Sequence, residues 1–157
     1  CDWSSDVCSS DLHAIVACAD LTISGDLRNA NRDHGLLLVV GGRLTARHVL
    51  KGGAYAVILG GLRASGIVLC DYNHGVLRVG GDLECEALIR LDQDCLVAGE
   101  TRGRDLDWDS DDLRESLVAE VFPDEDTTLP EADLIHGRLA ANLPVLKPAN
   151  EIGRAHV

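Results

Sequence analysis

The sequence contains no methionine, and its aromatic residues are two Trp, two Tyr and one Phe. No stretch approaches the roughly 18 uninterrupted apolar residues of a membrane-spanning helix, so we expect none. Basic residues are also scarce, with 14 Lys and Arg against 26 Asp and Glu and a formal net charge of −12. A chain this acidic lacks the positive surface that binds nucleic acid or an anionic membrane, so we expect neither partner.

The two ends of the chain differ in character from the sequence between them. Residues 1–12 (CDWSSDVCSSDL) and 151–157 (EIGRAHV) resemble translated sequencing adapter in opposite orientations. We therefore expect both to be artefacts that do not belong to the natural protein, with a genuine Ser/Asp-rich tail as the alternative. The absence of methionine agrees with a fragment that lacks its start. Residues 13–150 have a length that fits a single domain.

One short phrase recurs between Leu21 and Gly99: an apolar residue, a β-branched residue two places on, glycine, and then leucine. Its four copies begin at Leu21, Leu38, Ala56 and Leu77, in steps of 17, 18 and 21 residues. A repeat of about 20 residues is typical of stacked units that cannot bury their apolar side alone. The sequence therefore predicts a mostly β fold, a single-stranded β-solenoid (β-helix) of about four to five coils over residues 13–104. A globular α/β domain is the alternative, but no amphipathic helix lies between the strands.

A second phrase follows the last three copies and extends the prediction to at least two strands per coil. Stacking at about 4.8 Å would place equivalent residues in ladders through the interior. We expect three such ladders: Leu44, Leu62 and Leu83; the small residues Ala46, Ala64 and Cys85; and Val49, Ile67 and Leu88. Glycine at the end of the first strand would allow a bend where a Cβ would interfere.

Four cysteines lie outside the two suspect ends: Cys18, Cys70, Cys85 and Cys95. None forms a C-x-x-C pair, and all lie in or beside apolar strand-like runs, where cysteine behaves as a small hydrophobic residue. We expect free thiols and a reducing, cytoplasmic compartment. A disulfide between neighbouring coils is the alternative.

Residues 105–150 are predicted to form an acidic two-helix cap. Between Asp105 and Asp133 there are 12 acidic residues and one basic residue, Arg114. Ser110 or Asp112 can begin a first helix, which Pro123 would end, and Thr128 with Glu131 can begin a second helix that ends at Leu143. Terminal units of repeat proteins need a polar outer face, so we expect the helices to cover the last coil.

Two similar turns are the candidate interaction surface, formed by Asp33 and His34 and by Asp71, Tyr72, Asn73 and His74. Each histidine is followed by glycine, and the two are 40 residues, or two coils, apart. The alternative is ordinary turn chemistry, in which Asp or Asn bonds to the backbone and Gly supplies a positive φ. Two coils separate the histidines by about 9.6 Å, too far for one zinc ion, so we predict no metal site.

The remaining motifs give no catalytic or cofactor-binding residues. The acidic run from Asp105 lacks the glycine and the final glutamate of an EF-hand loop, and no phosphate-binding loop or nucleophile elbow occurs. Asp26 and Asp82 occupy matching places in their phrases, as carboxylates do in some polysaccharide-degrading solenoids. Arg43 and Gly61 hold the intervening places, so we expect no carboxylate cluster.

The phrases Ile-Ser-Gly-Asp-Leu27 and Val-Gly-Gly-Asp-Leu83 resemble the repeats of bacterial bactofilin-type, polymer-forming β-helix proteins. The 71–75 turn and the helical tail look more like a related group of bacterial solenoid proteins. The resemblance implies a cytoplasmic, non-catalytic protein that assembles with itself or binds protein partners. Our leading hypothesis is a non-enzymatic interaction scaffold. A polymer-forming cytoskeletal protein and a carbohydrate-active enzyme are the alternatives, and a predicted cap at one end argues against end-to-end polymerisation.

Overall fold

The computed structural model describes residues 14–29 and 35–148, which divide into two compact units after Asp105. The first unit is a β-solenoid of about five coils, as predicted. Its strands are β1 (Ala14–Ala17), β2 (Leu21–Thr22), β3 (Leu27–Arg28), β4 (Leu37–Val40), β5 (Leu44–Ala46), β6 (Val49–Lys51), β7 (Tyr55–Ile58), β8 (Leu62–Ala64), β9 (Ile67–Cys70), β10 (Val76–Val79), β11 (Leu83–Arg90), β12 (Asp94–Val97) and β13 (Thr101–Asp107).

Each complete coil contributes three strand segments, and the segments stack in parallel. The first segments form a five-stranded sheet in the order β1-β4-β7-β10-β12, which we call the first face. The second segments are β2, β5, β8 and the start of β11, with β13 paired to β11, and they form the second face. The third face contains β3, β6, β9 and the end of β11. Because β11 runs through both, the second and third faces join as one sheet.

The predicted leucine ladder is confirmed, since Leu44 pairs with Leu62 and Leu62 with Leu83. All three are at most 1 % exposed. Side chains alternate between interior and exterior along each strand, and the interior ones form a continuous core of aliphatic residues with few aromatics. This narrow core explains why the sequence uses so little Phe, Tyr and Trp.

The first copy of the phrase was aligned wrongly. Leu21 pairs with Leu44, not with Leu38, whose partner is Ile15. The true first copy therefore runs from Ile15 to Leu21 and has Cys18 and Ala19 where the next coil has two glycines. Because those glycines are missing there, the Ile-Ser-Gly-Asp-Leu sequence one strand later matches the recurring phrase more closely than the true first copy does.

A second register prediction also fails by one residue. Val49 and Leu88 both pair with Val68, so Ile67 does not belong to their ladder. The third coil has one extra residue at this corner, and the His48 imidazole fills the space by accepting a hydrogen bond from the Ile67 N–H (3.0 Å). Gly66 leaves room for that ring, because a Cβ there would lie 2.2 Å from it.

The second unit contains α1 (Asp112–Ser116), a 3₁₀ helix (Ala119–Val121) and α2 (Ala132–Ala140). The single first helix predicted to extend to Pro123 is therefore wrong. Leu117 leaves the helical conformation and forms an antiparallel bridge with Leu146, while the Val118 N–H donates to Val145 O (2.9 Å). The helix is interrupted because this strand-like pairing supplies the hydrogen bonds that another turn would have supplied.

Arg114 is a half-buried cation of the acidic second unit. Arg114 donates to the carbonyl oxygens of Thr127 and Glu125 and lies 4.7 Å from the centre of the Phe122 ring. Leu113, Leu117 and Val121 are buried, although they do not share one continuous helix. None of the helices within residues 14–29 and 35–148 is long and apolar enough to span a bilayer.

Candidate functional site

The 71–75 turn, predicted to be part of an interaction surface, follows the end of β9. The Asp71 N–H donates to Lys51 O (3.1 Å), and the Gly75 N–H donates to Tyr72 O (3.1 Å). The Tyr72 and His74 rings meet edge to face with their centres 5.4 Å apart. Asn73 and His74 are exposed, Tyr72 is half-buried, and Asp71 is 7 % exposed. Asp33 and His34 lie outside the described residues.

Beneath this turn lies a set of buried polar and thiol side chains, which we call the lysine corner: Lys51, Cys70, Asp71, Gln93 and Cys95. Lys51 is the last residue of β6 and pairs with Cys70 of β9. It has no exposed surface, which is unusual for a lysine. Its ammonium donates to Gly52 O (2.9 Å) and to Ala54 O. Burial lowers the pKa of Lys51 to about 8, while the neighbouring Cys70, Asp71 and Cys95 oppose that change.

Two amides complete the inner side of the corner. The Gln93 side chain donates to Gly52 O (2.8 Å) and to Tyr72 O (2.7 Å), and so joins two successive corner loops. Asn29, which follows β3 in the first coil, accepts a hydrogen bond from the Ala54 N–H in the next corner loop (3.0 Å). A buried polar side chain must find such a partner or lose stability. The corner therefore holds its loops in place from inside the solenoid.

The lysine corner also contains two of the cysteine thiols, Cys70 and Cys95. Cys70 donates a hydrogen bond to Cys95, and this bond together with burial raises the pKa of Cys70. Accepting the same bond lowers the pKa of Cys95 despite its burial, and the positive charges of Arg90 and Lys51 act in the same direction. Cys70, Cys85, Cys95 and the exposed Cys18 are all free thiols, as expected.

A second polar cluster lies at the corner between β2 and β3. Asp26 accepts hydrogen bonds from Arg47 (2.7 Å) and Arg28 (2.6 Å). Burial opposes ionisation, but these hydrogen bonds and the nearby positive charges hold the pKa of Asp26 at about 2. Burial also lowers the pKa of His48 beside it. Asp26 is thus a permanently ionised partner of two arginines and not a proton donor.

The expectation that Asp26 and Asp82 occupy matching places is wrong. Since Leu21, Leu44, Leu62 and Leu83 share one ladder, the residue equivalent to Asp82 is Asp20. Asp20 accepts a hydrogen bond from the Arg43 N–H (2.7 Å), and Asp82 accepts one from the Glu100 N–H (3.0 Å). Both carboxylates therefore bind the backbone of the next coil.

The acidic residues of the second face are paired with arginine. Arg102 lies 3.4 Å from Asp82, 3.3 Å from Glu84 and 3.0 Å from Glu100, measured between guanidinium nitrogen and carboxylate oxygen. Arg63 lies 3.6 Å from Glu84. Within the described residues, no group of three or more His, Cys, Asp and Glu side chains is arranged to hold a metal ion.

The first face is different, because its outward side chains are mainly apolar and are exposed or half-buried. One row across the sheet runs Val16, Val39, Val57, Arg78 and Leu96. Val16 is 62 % exposed and Leu96 53 %. The outward side chains that we call the apolar face are Val16, Leu37, Val39, Tyr55, Val57, Leu59, Val76 and Leu96.

A shallow depression on the apolar face lies between Val57, Leu59, Arg78 and Leu96. Arg78 and Asp94 are the charged side chains that project from these strands on the same side. On the third face, by contrast, the outward row Leu50, Leu69 and Ile89 is fully buried. The first face is thus the broad exposed apolar surface of the solenoid.

Neither the lysine corner nor the apolar face was identified from the sequence. The signals were present: Lys51 lies two residues after the interior Val49, which places it inside. Leu36–Val40 and Tyr55–Leu59 are continuous apolar runs, which in a strand indicate apolar side chains on both sides.

No protein-family model, no curated protein and no solved structure matches this chain significantly, so its function has to be inferred from these surfaces alone.

Proposed function

We propose that this protein is a non-enzymatic β-solenoid scaffold of the bacterial cytoplasm that associates with a second copy of itself through the apolar face. The observation that carries the proposal is the group of exposed apolar side chains on the outer side of the five-stranded sheet. Leu59 is 61 % exposed and Tyr55 54 %, beside Val16 and Leu96. Monomeric soluble proteins rarely leave a contiguous apolar patch of this kind in water.

The charges on the chain favour a second copy as the occupant of this face. The net charge of −12 makes most self-contacts repulsive, but one charge of each sign, Arg78 and Asp94, lies among the apolar side chains of the first face. Arg78 and Asp94 lie on adjacent strands, displaced by two residues along the strand direction. In a twofold pair with antiparallel strands, Arg78 of each copy can face Asp94 of the other. Such a self-complementary patch is what an isologous interface requires.

The hydrogen bonds of Asp20, Asp26 and Asp82 support a structural role for these carboxylates and not a catalytic one. Asp26 is held ionised between Arg28 and Arg47, and Asp20 and Asp82 bind backbone N–H groups. A general acid needs a carboxyl group whose pKa is raised toward the working pH. The pKa of Asp26 changes in the opposite direction, to about 2.

The test is the self-association of three purified chains by sedimentation velocity over a range of concentrations. Val57→Lys puts a second cation beside Arg78 at the centre of the apolar face. Thr45→Lys adds the same charge on the second face, where Thr45 lies beside Arg63. We expect the parent chain and Thr45→Lys to form a dimer that Val57→Lys loses. A parent chain that stays monomeric, or equal loss in both variants, would contradict the proposal.

A polymer-forming protein is the second candidate, and the open ends of the first face favour it. Within the described residues β1 pairs only with β4, and β12 only with β10. The edges of β1 and β12 that no described strand occupies could pair with further copies along the solenoid axis. Electron microscopy distinguishes the two candidates, since axial filaments should persist in Val57→Lys and face-to-face dimers should not.

A further inference from the structure

The corner that leads into the second face repeats one hydrogen bond, and two coils lack the side chain that makes it. One residue from each coil occupies the same corner position, just before the second strand segment: Asp20, Arg43, Gly61, Asp82 and Glu100. Asp20 accepts a hydrogen bond from the Arg43 N–H (2.7 Å), and Asp82 accepts one from the Glu100 N–H (3.0 Å). A carboxylate at this position therefore binds the backbone N–H of the same position one coil later.

The two residues between these aspartates cannot repeat that bond. The side chain of Arg43 has no acceptor atom, and Gly61 has no side chain. Among the residues that the structure describes, no group accepts a hydrogen bond from the N–H of Gly61 or of Asp82. Both residues are half-buried. Because buried and half-buried backbone donors are usually paired, this part of the corner favours a ligand that carries an acceptor.

The same corner is a depression in the surface of the second face. Its volume is about 310 Å³, and Arg43, Gly61, Arg63 and Asp82 are among the residues that line it. Arg43 Nε lies 3.7 Å, and the Asp82 nitrogen 3.8 Å, from the place that a Cβ on Gly61 would take. The space that a side chain of residue 61 would fill is thus open, and it lies close to a guanidinium group and to a backbone donor.

The positive charge beside this space is not neutralised by the carboxylates around it. Asp82 and Glu84 lie 3.4 Å and 3.3 Å from Arg102, on the strand that follows. Arg63 lies 3.6 Å from Glu84, and Arg43 forms no ion pair with a carboxylate of the described residues. A guanidinium group makes strong, charge-assisted hydrogen bonds to carboxylates. Arg43 is therefore available to an anion that enters the depression.

We propose that this depression binds the carboxylate group of a small organic acid, which takes the place of the aspartate side chain that the second and third coils lack. The carboxylate accepts a hydrogen bond from the Asp82 N–H and binds Arg43 with its other oxygen. The negative charges of Asp82 and Glu84 disfavour a second carboxylate, so the ligand is an acid with only one. The site lies on the second face, so the proposal does not depend on self-association through the apolar face.

The experiment titrates the isotopically labelled chain with sodium acetate and follows the backbone amide resonances by NMR. Sodium chloride at equal concentration is the reference for ionic strength. We expect acetate to shift the Asp82 amide proton downfield along a saturable curve, because this N–H gains a charge-assisted hydrogen bond. Glu100, whose N–H is already bonded to Asp82, is the internal control and should not shift. Succinate, which carries two carboxylates, should bind more weakly than acetate.

Two substitutions and a matched control sharpen the assignment. Gly61→Asp gives the third coil its own carboxylate, as in Asp20 and Asp82, so the Asp82 amide should resonate downfield without acetate and stop responding to it. Arg43→Gln should weaken acetate binding by about tenfold, as the loss of one charge-assisted hydrogen bond implies. Arg78→Gln removes the same charge from the first face and should leave acetate binding unchanged.

Several results would overturn the proposal: equal shifts with acetate and chloride, a response of the Asp82 amide to acetate that persists in Gly61→Asp, equal weakening in Arg43→Gln and Arg78→Gln, or tighter binding of succinate. The titration of the parent chain reads the Asp82 amide directly, so it decides the matter even where a variant fails to fold.

Discussion

At the scale of single residues, Asp26 shows how this acidic chain uses a buried carboxylate. It is 7 % exposed and bonded to Arg28 and Arg47, with a pKa of about 2. We expect Asp26→Asn to lower the free energy of unfolding at neutral pH by about 1–2 kcal/mol, since it removes charged hydrogen bonds that are partly open to water. Urea unfolding followed by circular dichroism measures the change.

The pH dependence of the unfolding free energy tests separately whether the charge of Asp26 stabilises the fold. The pKa of Asp26 is lower in the folded chain than in an unfolded one, so its contribution is complete above the ordinary aspartate range and is lost as the pH falls toward 2. The difference in stability between the parent and Asp26→Asn should therefore shrink from pH 5 to about pH 2. Asp92→Asn, at an exposed bend, is the matched control. It should leave the free energy of unfolding equal to that of the parent chain at each pH. An undiminished difference at low pH would show that the carboxylate charge is not the cause.

The burial of residues that recur in the repeat could be predicted from the sequence. The hydrogen bonds that side chains make to the corner loops could not. Leu44, Leu62 and Leu83 share a position in a recurring phrase, and the phrase alone fixes their ladder. Lys51 donates hydrogen bonds to Gly52 O and Ala54 O, two carbonyl groups that the fold turns back toward it. The interior place of Lys51 follows from its spacing to Val49, but no spacing in the sequence encodes the turn that brings these carbonyl groups to its ammonium.

At the scale of the elements, the glycine pairs that end the first strand of the second, third and fourth coils are required because the coils approach so closely. A Cβ on Gly80 would lie 2.4 Å from Leu59 O, and one on Gly60 would lie 2.6 Å from Gly42 O. These are backbone atoms, which cannot move without separating two coils. We expect Gly80→Ala to cost about 1–3 kcal/mol of unfolding free energy, the range for overpacking, as measured in urea.

Gly25 provides the control for this prediction. It lies at a bend in the first coil, and an added Cβ would meet no heavy atom within 4 Å. Gly25→Ala should therefore change the free energy of unfolding by no more than about 0.5 kcal/mol. If Gly80→Ala were equally harmless, close approach of the coils would not be the reason for the repeated glycine.

The same glycine pairs explain for which coils the strand register could be predicted. Coils with a glycine pair were placed in the correct register, whereas the first coil, with Cys18 and Ala19 in those places, was not. In the second unit, Leu113, Leu117 and Val121 have helical spacing and are all buried, so the apolar pattern was informative. The break at Leu117 was not predictable, because it depends on a bridge to Leu146, which lies 29 residues later (146 − 117).

At the scale of the whole molecule, charge and apolar surface are segregated. The sequence places 12 acidic residues between Asp105 and Asp133, the second face carries arginine–carboxylate pairs, and the first face is nearly uncharged. Such segregation makes the response of self-association to salt diagnostic. Salt screens repulsion between acidic surfaces and also weakens exposed ion pairs, while it leaves apolar contacts intact.

If two copies associate through the apolar face, their dimer should therefore become tighter as salt is raised from about 0.1 M to about 1 M, because the repulsion between two chains of net charge −12 is screened. An association through Arg63, Glu84 and Arg102 of the second face would weaken over the same range, because its attraction is ionic. Sedimentation velocity at the two salt concentrations measures the dissociation constant directly. Thr45→Lys should follow the parent chain, and Val57→Lys should remain monomeric at both concentrations. A dimer that dissociates in high salt would assign the interface to the charged second face instead.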